Sequence, residues 1–157
     1  SNGTYTLTPS LSGYTFSPAS RSATVNGANV TGQDFTGTAS SGGGVQTYSN
    51  GTDYAINDNS TVSSPIAVSG RTGNGQASTP VAVNIIHTYR GDLVVDLVAP
   101  DGSVYNLLNR SGGSADNVNQ TFNVNLSGEA LNGTWNLRVR DAATADTGRI
   151  DSWSITF

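Results

Sequence analysis

Apolar residues in this chain recur at every second position in short runs, and the gaps between the runs are filled with Gly, Ser, Thr and Asn. Val81, Val83 and Ile85 share one face of an extended segment, and Leu93, Val95 and Leu97 share one face of the next. Trp135, Leu137 and Val139 repeat the pattern, as do Trp153, Ile155 and Phe157. Successive side chains of an extended backbone point to opposite faces, so each run buries one face of a strand and leaves the other wet. No segment carries a helical period. The pattern predicts an all-β protein with strands near 53–56, 61–69, 78–89, 92–99, 103–108, 120–126, 134–141 and 149–157. Eight antiparallel strands with one apolar face each close as a jelly-roll β-sandwich.

A weaker alternation precedes them. Tyr5 and Leu7, Tyr14 and Phe16, Ala23 and Val25, and Phe35 are separated by Pro9, Gly13, Pro18 and Gly27. These read as about four short strands, too few to bury both faces of a sheet alone. Between the two regions, Gly and Ser dominate and nothing asks to be buried. The expected organisation is therefore a short β segment over residues 1–36, a linker over 37–46 and the sandwich over 47–157.

Composition removes several functions. There is no Cys, so neither a disulfide framework nor thiol chemistry is available. The seven basic residues are all Arg and form no cluster, and the net charge is −4, which gives no footprint for nucleic acid or an anionic membrane. No apolar run approaches the ~18 residues that a membrane span needs. Asn-X-Ser/Thr triplets recur, as chance produces in so Asn-, Ser- and Thr-rich a chain; the Cys-free, Lys-free composition fits a bacterial exoprotein.

The chemistry-bearing residues are few. His87 is the single imidazole and falls in phase with Val81, Val83 and Ile85, which makes it a structural residue rather than a general base. One Glu, no Cys and no HExxH spacing exclude zinc hydrolysis. No catalytic residue is assigned. Asp92 and Asp96 are expected on the outward face of one strand and Arg138 and Arg140 on that of another, and a cross-strand charge ladder is the reading preferred for Asp96.

If consecutive strands run antiparallel, loops 57–60, 90–92, 109–119 and 141–148 gather at one end of the sandwich. They carry Asp58, Asp92, Asp116, Asp141 and Asp146, with Asn59 and Asn117 beside them. Hard oxygen ligands on loops suit Ca²⁺, and these seven residues are the expected calcium ligands. The competing reading is that Arg90, Arg110 and Arg149 neutralise the rim without metal. Tyr54, Tyr89 and Arg90 are the candidate binding residues at this end. Tyr48 and Tyr105 complete the aromatics open to a polysaccharide, since Trp135 and Trp153 are in phase with the core.

One resemblance spans roughly residues 50–157. His87, Thr88, Tyr89, Arg90, Gly91, Asp92 and Leu93, then Leu97, Ala99, Pro100, Asp101 and Gly102, resemble the P domain of proprotein-convertase-type subtilases. Leu107, Asn109, Arg110, Gly112 and Gly113 continue the match, followed by Asn132, Gly133, Thr134, Trp135, Leu137, Val139 and Asp141. Asp146, Gly148, Asp151, Ser152, Trp153 and Phe157 complete it. One segment departs from the family's apolar-Pro-Asp pattern, reading Ile56, Asn57, Asp58.

The resemblance implies a non-catalytic companion of a secreted serine endopeptidase or metallopeptidase. Such a domain stabilises the catalytic domain of its parent chain or assists its folding, often with calcium and sometimes with engagement of an extracellular substrate. A module binding an extracellular protein or polysaccharide is the alternative, and a spacer between modules the third. Before the linker, Gly3–Leu7 and Gly13–Pro18 resemble the closing strands of carboxypeptidase regulatory-like, prealbumin-type modules. That likeness implies that the chain begins inside a domain.

Overall fold

The computed structural model describes residues 1–11, 14–39 and 44–157. It divides into two compact units, Ser1–Gly44 and Val45–Phe157.

Among the described residues the first unit has four short strands, where its alternation predicts about four. β1 (Gly3–Leu7) pairs antiparallel with β3 (Arg21–Val25), and β2 (Tyr14–Ser17) with β4 (Thr36–Ala39). β4 takes up the start of the stretch expected to be linker, because Gly37 and Thr38 find partners in Phe16 and Thr15; residues 40–43 lie outside the described residues. Little is buried here. Ala23 is inside, while Tyr5, Leu7 and Tyr14 are exposed.

The second unit is a two-layer sandwich. Its strands are β5 (Thr47–Asn50), β6 (Tyr54–Ile56), β7 (Thr61–Val68), β8 (Thr79–His87), β9 (Leu93–Val98), β10 (Val104–Asn109), β11 (Val118–Val124), β12 (Gly133–Asp141) and β13 (Gly148–Thr156). One sheet runs β10-β9-β12-β7, and the other runs β11-β8-β13-β5 with β6 also on β13. All pairings are antiparallel.

Among the described residues the sandwich has nine strands where the sequence predicts eight. The addition is β5, whose Thr-Tyr-Ser-Asn run holds one apolar residue and so shows no alternation. β5 and β6 succeed one another along the same side of β13, Asn50 opposite Trp153 and Tyr54 opposite Ile150. The break between them faces β13 where its register with β8 shifts between Ile150 and Ser152. An irregularity in a central strand thus cuts its neighbour into two short pieces.

The inward residues of both sheets make one core, centred on Trp135, Leu137, Ile85, Ile150 and Ile155, all fully buried. The two indoles lie in it with their N–H groups satisfied. Trp135 donates to the Leu131 carbonyl at 3.0 Å, and Trp153 donates to the Ser64 hydroxyl at 3.0 Å. Outside, Asp96 meets Arg138 at 2.9 Å across β9 and β12, the cross-strand pair expected from sequence. Asp92 does not join that ladder. A 3₁₀ turn, Arg90–Asp92, precedes β9, breaks the alternation and leaves Asp92 only 7% exposed.

Candidate functional site

The four loops expected at one end do meet there, stitched by backbone hydrogen bonds. Asp141 N–H donates to the Ser60 carbonyl at 2.9 Å, Ala142 N–H to Asp92 at 2.9 Å, and Arg90 N–H to Ala115 at 2.8 Å. His87 ends β8 at the centre of this region, and its side chain is wholly buried.

Both imidazole nitrogens face groups of the protein. Nδ1 lies 3.2 Å from the Tyr89 amide nitrogen, whose hydrogen it accepts, and 3.0 Å from the Tyr89 carbonyl. Nε2 faces Asp141 Oδ2 at 3.5 Å, and neither of these two atoms has a hydrogen-bond partner. The network assigns the hydrogen to Nε2, because the other neutral tautomer would set a nitrogen lone pair against a carboxylate. The remaining Asp141 oxygen, Oδ1, accepts from the Ala143 amide at 3.1 Å. An imidazole enclosed in this way presents no lone pair to a substrate, as its phase with the core residues of β8 implied.

Gly148 makes the enclosure possible. A side chain there would run into the Ile86 carbonyl oxygen and, at 2.8 Å, the His87 ring. Gly112 plays the same part for Arg90: its φ is 108°, and a Cβ would lie 2.7 Å from Arg90 Cδ. The guanidinium crosses that gap, and its Nη2 donates to Gln120 Oε1 at 3.0 Å.

The seven expected calcium ligands are distributed around this end rather than focused on one point. Asn117 Oδ1 accepts from the His87 amide at 2.9 Å, holding β8 to the start of β11. Asp58 Oδ1 accepts from the Ala145 amide and the Asn59 carboxamide, both at 3.2 Å. Asp146 Oδ1 accepts from the Thr88 hydroxyl at 2.6 Å. Asp92 faces Arg110 at 3.9 Å, and Asp116 is exposed. Among the described residues no three carboxylate or imidazole groups converge as a metal cluster would require. Asp58 and Asp146 stand on two loops that meet, since Asp58 accepts from the amide of Ala145, the residue before Asp146.

The binding candidates differ in setting. Tyr54 is half-buried against the core, as are Tyr48 and Tyr105, whereas Tyr89 is 38% exposed.

At the opposite end, Tyr105 donates its hydroxyl to buried Glu129, a pairing that sequence reasoning missed because nothing in a strand pattern links it to a distant turn. That hydrogen bond, helped by burial and by the charges of Glu129 and Asp101, pushes the phenol up to about 12 from its ordinary 10.0. The folded state thus favours the protonated phenol. Its contribution to stability is complete below pH 10.0 and is lost as the pH rises towards about 12. Ultraviolet titration of phenolate in the folded protein is expected to show one late tyrosine, absent in Tyr105→Phe; an unchanged titration in that variant would disprove the assignment.

Comparison with known proteins places this geometry. A family model of the proprotein convertase P-domain matches residues 77–157, just over half of the chain. Leupeptin-inactivating enzyme 1 of Streptomyces exfoliatus is 64% identical over 114 residues, covering 71% of this chain and 26% of that protein. Transglutaminase-activating metalloprotease of Streptomyces mobaraensis is 46% identical over 125 residues, covering 78% of this chain and 16% of that protein. Calcium-dependent protease of a Nostoc strain is 40% identical over 113 residues, or 66% of this chain and 17% of that protein.

A solved serine protease of Aeromonas sobria superposes with a TM-score of 0.57 at 21% identity, covering 72% of this chain and 27% of that one, which establishes the fold. The chain spans about a quarter or less of the length of these Streptomyces relatives, and the matched region is the non-catalytic, accessory part of such proteases. With that family model matching over half of its length, the chain belongs to the proprotein convertase P-domain family.

Proposed function

We propose that this chain is a secreted accessory module of a bacterial protease, a jelly-roll sandwich that stabilises a catalytic domain carried in the same parent protein and assists its folding. The first unit is related to the prealbumin-type modules. The observation that carries the reading is the 64% identity to a Streptomyces enzyme across 114 residues, in a chain whose only imidazole is enclosed.

Deleting residues 45–157 from the parent protease tests it. The expected result is a lower yield of active enzyme and faster thermal inactivation, while the 157-residue chain alone cleaves nothing. Unchanged yield and inactivation, or proteolysis by the isolated chain that His87→Gln abolishes without unfolding it, would overturn the reading.

Calcium enters this reading at a narrower site than the whole rim. Two relatives are calcium-dependent proteases by name, and Asp58 accepts from the amide of Ala145, the residue before Asp146 on a second rim loop. A cation that binds only the folded state at about 100 times its Kd contributes ~2.7 kcal/mol, so calcium is expected to raise the melting temperature by several degrees. Asp58→Asn with Asp146→Asn should remove that response. Asp141→Asn should lower the baseline and leave the response, and Asp101→Asn, at the other end, should change neither. Identical melting in calcium and in chelator would remove calcium from the reading and leave the accessory role standing.

A further inference from the structure

Each sheet of the sandwich ends in open strand edges, and most of them carry a feature that discourages a further strand from adding. β7 has Pro65 in its interior, which lacks the N–H that a new partner needs. β5 and β6 are only four and three residues long. β10 is broken by a register shift between Asn106 and Leu108. β11 has none of these. Its seven residues keep unbroken register with β8, include no Pro, Gly or charged side chain, and among the described residues pair with β8 alone.

Two further features give this edge a shape and a charge. Phe122 on β11 and Tyr105 and Leu107 on β10 line a shallow gap between the two sheets, and all three are half-buried against the core. Arg90 supplies one cation, its Nη2 on Gln120 of β11 and its Nε buried without a partner.

We propose that the free edge of β11 binds an extended peptide segment of a partner protein by strand addition. The partner's backbone takes the unpaired N–H and C=O groups, its alternate apolar side chains enter the gap at Phe122, and an acidic residue meets Arg90. An uncharged edge fits an uncharged strand, because no ionic group has to be stripped of water when the two backbones meet. The site stands independently of the accessory reading: it would persist if the chain stabilised no protease.

The test uses the 157-residue chain and a synthetic peptide of alternating valine and threonine with one terminal glutamate. At saturation the peptide is expected to slow hydrogen exchange of the Val118–Val124 amides by about tenfold or more. The same peptide N-methylated at alternate residues should protect nothing. Arg90→Gln should weaken the glutamate-ended peptide by about two- to fivefold, the size of an exposed ion pair, and leave a glutamine-ended one unchanged. Thr121→Pro should abolish binding; because it also strains β11, Thr121→Lys serves as the folded variant that weakens it. Four results would overturn the proposal. They are protection on β5, β7 or β10 instead, equal binding of the N-methylated peptide, no protection at the solubility limit, and β11 protection that rises with protein concentration without peptide, which would make a second copy the occupant.

Discussion

Trp135→Ala is expected to remove a large share of the stability of the sandwich. The indole is fully buried on β12, packs against Phe157 with ring centroids 5.3 Å apart, and donates to Leu131. Removing a core aromatic costs about 3–5 kcal/mol through lost transfer energy and the cavity left behind. The Leu131 carbonyl also loses its donor, which adds to the loss. A domain of this size holds about 5–15 kcal/mol in all, so the deficit is a large fraction of the total. Urea unfolding gives the number. A loss under about 1.5 kcal/mol would show that the space beside Phe157 collapses freely and that the two sheets do not depend on this side chain.

Gly148→Ala should be nearly as damaging although it adds only a methyl group. The new carbon would collide with the Ile86 carbonyl oxygen and press on the His87 ring at 2.8 Å. The first obstacle is backbone, so relief requires β8 and β13 to separate just where Gly148 is registered with His87 and Ile56. That in turn loosens the imidazole from Asp141. Overpacking of this kind costs about 1–3 kcal/mol, and the upper end applies because no flexible side chain can give way. Gly51→Ala is the control, with nothing near its absent Cβ, and should stay within about 0.5 kcal/mol. Comparable losses in both variants would refute the steric account.

Much of the architecture was legible in the sequence because period-two burial is a local signal. β7, β8, β9 and β12 lie within one or two residues of the runs that mark them, and His87 falls on the buried face that its phase with Ile85 implies. β5 was not legible, since four mostly polar residues become a strand only when β13 lies alongside. Asp92 misled for a related reason: strand alternation was carried one turn too far, into backbone that is helical.

The gathering of the loops followed from strand order alone. What their oxygens touch did not. Asp141 beside the His87 ring, Asp58 on Ala145 and Asp146 on Thr88 are contacts between loops distant in sequence. The spread of these carboxylates over separate partners, rather than one centre, is decided by loop conformations that composition does not encode.

The placement of β13 has a consequence for how the domain reaches its folded state. It is the strand on which β5, β6 and β8 all converge, and Thr156 closes on Thr47 across 109 residues of sequence. Until β13 inserts, the five-stranded sheet lacks its middle and the edge of β8 that pairs with Trp153 and Ile155 stands open. Pairings this remote make folding slow, since a long loop must be closed before any contact offsets its entropy. Any protease present during that unzipped interval would meet exposed backbone, so the speed with which β13 docks, more than the final stability, would set how many molecules survive.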